Sequence, residues 1–526
     1  MLSRRFRRQI RKPRLAPRRA RPLRIEPLDD RRMLAVLTVN THVDPFAIFS
    51  DGTISLREAI EAANTNAPAG DAPAGDPGHD VIRFDPSMSG ESITLSVTQL
   101  LITESVTIDA SALPDGITID ADNRSRHFTI AAVDTTLRGL TLVNGRAAEG
   151  GAIFVGGELF LEESTLSGNV ALLNGGGISL DGGSRVTIAN SALSDNEADG
   201  NGGGVHLPFT GAVTVTNSIL SGNTANGSGG GIANGGTVTM TNSTLSGNGA
   251  DRHGGGIRNS GMVTITDSGV TGNSAIQGGG GLSNDSAATI TDTTVAGNSA
   301  RYGGGIHFNG VGLSTMTGST VSGNSANFNG GGILNSGLTY ITASTIVGNS
   351  ASRGGAVFNR STALTMTGNI MANSQGVADL DILNAASSFD GDYNLVGDGS
   401  RLSDFTHSIQ GDPLLDPLAE NGGPTMTHLP AANSPVIDAG DPAAMAGVGA
   451  TPEFDQRGIG FSRVVGGRID LGAVERLRAD IDPDFNGDGF INVTDIDLLQ
   501  ANLAVGPADP STFDLDGDGA VTIADR

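Results

Sequence analysis

Two twelve-residue stretches near the C-terminus hold the side chains best spaced for chemistry. Asp484, Asn486, Asp488, Asn492 and Asp495 occupy positions 1, 3, 5, 9 and 12 of the first, with Gly489 at position 6 and the Phe490 carbonyl at position 7. Thirty residues on, Asp514, Asp516, Asp518, Thr522 and Asp525 repeat the pattern around Gly519 and the Ala520 carbonyl. A hard cation of the Ca²⁺ type takes about six to eight oxygens, which this spacing supplies, and glycine permits the sharp turn. The bland alternative is a pair of acidic turns, but duplication of the whole spacing argues for Ca²⁺. The chain stops at Arg526, so the second loop lacks a following helix and the module is read as truncated.

A second, more diffuse group surrounds a series of glycine runs. Asp251, Arg252, His253, Arg301, Tyr302 and Arg353 precede such runs, and His206, Arg258, His307 and Arg360 follow them. Hydrolysis of a glycosidic bond calls for paired carboxylates. Eliminative cleavage calls for Ca²⁺-binding acids and an arginine or lysine base. Here the equivalent positions of neighbouring repeats are mostly Asn, Ser or Gln, and the carboxylates do not pair. These charges therefore read first as solvated corners. If the chain has a catalytic site, Asp251, Arg252, His253, Arg258, Arg301 and His307 mark its flank.

What must position these groups is a tandem repeat over residues 150–373. One series is the apolar residue after each glycine run: Ile153, Ile178, Val205, Ile232, Ile257, Leu282, Ile306, Ile333 and Val357. The other is Asn169, Asn196, Asn223, Asn248, Asn273, Asn298, Asn324, Asn349 and Asn373, and members of either series lie 24 to 27 residues apart. Such a period means stacked units, each too small to bury its apolar side alone. Within one unit, Ile257, the alternating run Met262–Thr266 and Val270 are strand-sized pieces separated by Gly, Asn and Ser. The predicted fold is all-β: a three-sided parallel β-helix solenoid, right-handed as parallel crossovers are, about 43 Å long over nine coils. Glycine suits the tight corners. Asn tolerates the left-handed region and bonds along a stack of identical residues. Asn234, Asn259, Asn284, Asn335 and Asn359 form a further candidate column.

Composition narrows the functions. Cysteine is absent, which excludes disulfides, thiol catalysis and thiolate metal sites. Trp is absent and aromatics are 4%, leaving little platform for stacking on sugars or bases. No apolar run approaches the ~18–20 residues of a spanning helix. Residues 1–35 carry 13 Lys/Arg against three acids, a net of +10, whereas the rest carries 19 against 53, a net of −34. An acidic body repels phosphate and polyuronate alike unless bound cations bridge them, which argues against nucleic acid as a partner.

Taken in order, the Arg-rich residues 1–35 read as an export leader rather than a nucleic-acid-binding arm, with a partial twin-arginine look at Ser3–Phe6 and only a short apolar run at Met33–Val39. Glu26–Leu34 resembles the leader motif of exported bacterial surface proteins. Residues 36–80 form an N-terminal cap with a helix over 55–64, where Ser55 and Glu58 have capping-box spacing and Leu56, Ala59, Ile60 and Ala63 share one face. This stretch resembles the CSLREA-type segment of bacterial β-helix proteins, with Ile54 in place of Cys, and a helix laid across the first coil would cover its open edge. Residues 81–373 are expected to form the β-helix. Gly411–Leu414, Asn421–Thr425, Ser434–Gly440, Asp455–Gly458 and Asp470–Glu475 resemble, in that order, the choice-of-anchor Q domain, placed at 374–476. Asp438, Asp455, Arg457 and Asp470 are expected to form a structural ion-paired cluster there. Residues 477–526, with Val493–Leu503 as a helix, resemble a type I dockerin, a small EF-hand-like module.

The repeats are similar to those of polymorphic outer-membrane proteins. These resemblances imply an extracellular or cell-surface protein. It would act as an adhesin or a structural or carbohydrate-binding stalk, attached through Ca²⁺-dependent docking to a cohesin-like partner. The alternative by family is a polysaccharide lyase or glycoside hydrolase of the pectin-lyase-like fold, tethered by its dockerin.

Overall fold

One repeat shows how alternation becomes a coil. Thr237–Thr241 forms a strand on a first face and Thr244–Ser246 one on a second. Gly249–Ala250 makes a short rung at a corner, and Ile257–Asn259 a strand on a third face. Val238, Met240, Leu245 and Ile257 point inward and are fully buried. Each strand pairs in parallel, in register, with its equivalent in the next coil: Val238 with Val263, Leu245 with Val270, Ile257 with Leu282. In-register stacking keeps like above like, so Val, Ile and Leu form one continuous column inside.

A computed structural model of the chain describes residues 35–476, apart from 97, 133, 362, 384–387 and 450. Two compact units divide the chain, residues 1–34 and 35–526, and all described residues belong to the second. The residues expected to form an export leader (Ala35 apart), the two expected Ca²⁺ loops and the expected helix Val493–Leu503 therefore lie outside the described residues. Among the described residues, the first and second faces each hold 14 strands, the third 12, and the corner ladder eight. No described helix is long and apolar enough to cross a membrane.

The helix forms at Leu56–Thr65, with the Ser55 side chain accepting from the Glu58 N–H and the Glu58 carboxylate bonding back to the Ser55 N–H. Its buried Leu56, Ala59, Ile60 and Ala63 close the start of the solenoid. Asn64 Nδ2 donates to the Leu101 carbonyl at 2.7 Å, which ties the helix to the edge of the third face. Arg57, the neighbour of the capping glutamate, pairs with Asp44 at 2.8 Å.

Inside, Asn169 through Asn349 form a ladder of eight. Asn223 Nδ2 donates to Asn248 Oδ1 at 3.0 Å and to the Leu193 carbonyl at 2.9 Å, while its backbone N–H also donates to Asn248 Oδ1. Every polar atom of a buried amide is thus satisfied, which is what lets Asn sit in a dry interior. Asn373 does not join. Val347 pairs with Ala372, so Asn373 falls opposite Gly348 and Ser374 opposite Asn349. Asn373 is exposed, at φ 53°, doing what the glycines of the neighbouring coils do. The column of Asn234, Asn259, Asn284, Asn335 and Asn359 is buried as expected, with Phe308 interposed between Asn284 and Asn335.

Strand pairing continues past residue 373, where the regular repeat ends. Leu380–Ile382, Ser388–Asp392, Leu395–Val396 and Ile409–Gln410 all add to the three faces. Residues 411–476 then run back over the second face as an irregular strap. Thr294, Thr320 and Thr345 point outward there, yet the strap buries them. Thr294 Oγ1 donates to the Met426 carbonyl, and the Ala473 N–H donates to Thr345 Oγ1 at 2.9 Å. Asp455, Arg457 and Asp470 do cluster. Arg457 pairs with Asp455 at 2.6 Å, and Asp470 Oδ1 accepts from the Asp438 N–H at 2.7 Å. Fully buried Arg463 and Glu475, 3.0 Å apart, complete this internal network.

Candidate functional site: a groove between the corner and the third face

Strand alternation puts Ser179, His206, Ala233, Arg258, Ser283, His307, Leu334 and Phe358 on the outside of the third face. Yet Ser179, Ser283, Leu334 and Phe358 are each 1% exposed. The corner strands fold over them, so the outer angle between corner and third face is re-entrant. Gly254, at φ 67°, is one of the glycines making that turn, and a Cβ there would strike the Ile257 carbonyl at 2.2 Å. Guanidinium groups fill the angle at both ends, Arg126 lying 5.2 Å from the Phe154 ring and Arg353 5.1 Å from that of Phe358. Between them is a cleft of about 360 Å³, lined by His206, Phe209, Ser228 and Arg258.

Of the six flank residues marked in the sequence, the structure brings three together. Arg258 is ion-paired with Asp285 one coil on. His307 lies beneath Gly278: a Cβ at Gly278 would sit 3.0 Å from His307 Nδ1 and 3.5 Å from His253 Nδ1. Neither ring nitrogen of His307 has a hydrogen-bond partner among the described residues. Burial, then the charges of Arg360 and its neighbours, pushes the His307 imidazole down to about 4, leaving it neutral at neutral pH. Burial lowers His253 as well, reinforced by Arg258. Burial pushes the Asp285 carboxyl up, but Arg258 outweighs it and holds the group below the usual range. The other three residues, Asp251, Arg252 and Arg301, stay exposed on the corner.

Asp285 was not among the residues singled out from sequence. It follows the inward Asn284, at the place where other coils carry Ser260, Asn309, Ser336 and Arg360. That column is legible only once the register is known. The flank also collects most of the basic side chains of the repeat, with Arg258 and Arg353 ion-paired to Asp285 and Asp381. Of the six arginines in residues 150–373, five (Arg252, Arg258, Arg301, Arg353 and Arg360) lie on it, as do all three histidines. No group of three or more His, Asp or Glu among the described residues is placed to hold a metal ion. The donor set at Asp484–Asp495 and Asp514–Asp525 is all oxygen with a glycine turn, which fits a hard cation.

Comparison with known proteins agrees with this architecture. Residues 106–257 match the right handed beta helix region, and residues 482–526 match the dockerin type I domain. No curated protein matches. Among solved structures, pectate lyase Pel9A is similar at 14% identity over 84% of this chain and 96% of its own, with a TM-score of 0.36. A mannuronic acid specific polysaccharide family 6 lyase from human gut microbiota is similar at 11% identity over 64% of this chain and 86% of its own, with a TM-score of 0.32. The chain carries a right-handed parallel β-helix region followed by a C-terminal type I dockerin domain.

Proposed function

We propose that this chain is an exported, surface-associated β-helix that holds polysaccharide along its groove flank and is attached through its Ca²⁺-dependent dockerin to a cohesin-bearing partner. The supporting observation is the gathering of five of the six repeat arginines and all three repeat histidines on one flank. An inert stalk has no use for such segregation, because stacking requires only inward apolar residues and turn residues. Binding is favoured over cleavage because Asp285, the carboxylate of the groove next to the histidines, is committed to Arg258. The divisions proposed are leader 1–35, cap 36–80, β-helix 81–373, a choice-of-anchor Q-like region 374–476 and a dockerin-like module 477–526. Strand pairing of the solenoid runs across the boundaries at 81 and 373, from Val36 to Gln410. The test uses the full chain. It should co-sediment with at least one insoluble polysaccharide and be retained by immobilised cohesin in Ca²⁺ but not in chelator. Failure of co-sedimentation across uronate and neutral glycans sinks the binding reading.

A polysaccharide lyase or glycoside hydrolase is the second reading. It is favoured by His307, held as a free base close to Arg258 and Arg360. Incubation with the same glycans, with and without Ca²⁺, decides it. Unsaturated or reducing ends that vanish in Arg258→Ala, with unchanged melting, would establish catalysis.

A further inference from the structure

The corner ladder changes width along the solenoid. Its rungs are two residues long at Arg146–Ala147, Val170–Ala171, Glu197–Ala198, Thr224–Ala225 and Gly249–Ala250. They lengthen to four or five at Ser274–Gly278, Ser299–Tyr302 and Ser325–Asn329. Stacking does not ask for this, since the buried side chains of these three rungs are those of Ala275, Ala300 and Ala326. The added length makes a strip of outward surface, and that strip carries what the composition appeared to lack. Tyr302 and Phe328 stack with ring centroids 5.4 Å apart and planes at 25°. The Arg301 guanidinium lies 5.0 Å from the Phe328 ring centre and 5.5 Å from that of Tyr302. Arg301 is exposed and, among the described residues, has no ion pair; Arg252, two coils earlier, is in the same state.

We infer that the widened corner, with Arg301 over the Tyr302–Phe328 stack, together with Arg252 beside the last narrow rung about 10 Å away along the axis, is a binding platform for an anionic polysaccharide. This deepens the polysaccharide-binding reading above and rests on it. A guanidinium lying over aromatic rings loses little freedom on binding and keeps its N–H edges available for a carboxylate or sulfate, which it meets in bidentate fashion. The exposed ring of Phe328, 43% accessible, offers an apolar surface to the C–H face of a sugar. Charge agrees locally. Asp251 is the acid on the strip, against two unpaired arginines, in a chain whose net charge is −24. Stacked aromatics with arginine also suit single-stranded nucleic acid, and the acidic solenoid repels either polyanion alike beyond this strip. The glycan is favoured by the polysaccharide-binding reading, and oligothymidylate is its competitor in the test.

The probes are polygalacturonate for carboxylate, dextran sulfate for sulfate, neutral dextran as control, and a single-stranded oligothymidylate. Calorimetry of the full chain at low salt should show binding of one or both anionic glycans and none of neutral dextran. Arg301→Gln and Phe328→Ala should each weaken it about tenfold, Arg301→Lys should recover only part, and Arg185→Gln on the first face should change nothing. All are surface positions, so melting should be unchanged. Glycan binding that survives both substitutions overturns the platform while leaving the proposed function standing. Binding only of neutral glycans, or a preference for oligothymidylate, overturns it as well. Binding of no glycan at all removes both.

Discussion

Thr320 Oγ1 donates to Gln456 Oε1 at 2.6 Å, across 136 positions of sequence. The same amide donates through Nε2 to Thr425 Oγ1 at 2.9 Å and Thr294 Oγ1 at 3.0 Å, and Gln456 is 0% exposed. One side chain therefore joins two adjacent coils to the strap that covers them. Gln456→Leu keeps the volume but removes three buried hydrogen bonds. Thr320 Oγ1 loses its acceptor, whereas Thr294 Oγ1 and Thr425 Oγ1 lose a donor and keep the Met426 and Asp292 carbonyls as acceptors. Each lost bond costs about 1 kcal/mol or more, so loss of about 2–4 kcal/mol is expected, seen as faster proteolysis within residues 411–476 and a lower melting temperature.

The Asn ladder predicts a contrast between two positions that look alike in sequence. Asn248→Ala removes an inside amide that bonds both neighbouring coils and the Leu220 carbonyl. It should destabilise by about 3 kcal/mol. Asn373→Gly, at an exposed left-handed position, should be neutral to within about 1 kcal/mol. Chemical denaturation of the two variants side by side reads the difference, and equal losses would contradict the register described above.

Asp292 sets one pH dependence. Burial, then the charges of Asp267 and Asp455, pushes its carboxyl up to about 7. A folded-state value above the unfolded one means that the folded protein holds its proton more tightly. Stability should therefore fall as pH rises from about 4 to 7. Asp292→Asn fits the site, since Asn217 and Asn242 hold the same left-handed position in earlier coils. The variant should be more stable than the parent at pH 8, by on the order of 1–3 kcal/mol, and the two should converge by pH 4.

His307 acts in the opposite direction. Its folded-state value near 4 lies below the ordinary one for histidine. Stability is complete above pH 6.5 and falls as pH drops through that value toward 4. Arg258, Arg360, His253 and Asp285 are the charged or titratable groups acting on it. His307→Leu copies Leu334 of the next coil and should reduce the loss on the acid side of the profile without touching the alkaline side. The part that remains is set by buried His127, which is also pushed down to about 4. Thermal melts between pH 4 and 8 test both histidine and aspartate predictions at once.

Chelation should separate the two modules. Removing Ca²⁺ should leave melting of the β-helix unchanged, because its coils are held by the apolar column and the Asn ladder. It should abolish retention by cohesin. Asp484→Ala and Asp514→Ala should each remove one equivalent of Ca²⁺ in a titration of the full chain.

The repeat was legible because parallel stacking places identical residues at identical heights. Ile257, Val263 and Val270 recur every coil, and that recurrence is enough to specify strands, corners and an apolar interior. The helix at Leu56–Thr65 was legible because capping is local, set by Ser55 and Glu58 alone. Asn373 misled because spacing counts residues whereas hydrogen bonds follow register, and one residue of offset turns an inside amide into an outside turn. The strap and its contacts with Thr294, Thr320 and Thr345 carry no periodicity, so only the folded chain shows which face they cover. The groove belongs to the same class. Arg258 meets Asp285, and Arg301 lies over Phe328, across separations of 27 residues each, because neighbouring coils bring equivalent heights to within one strand spacing. Sequence by itself determined that there would be coils and what lines them. The angle at which the glycine turns bend the corner against the third face, a property of backbone close-packing, decided which outward side chains come together.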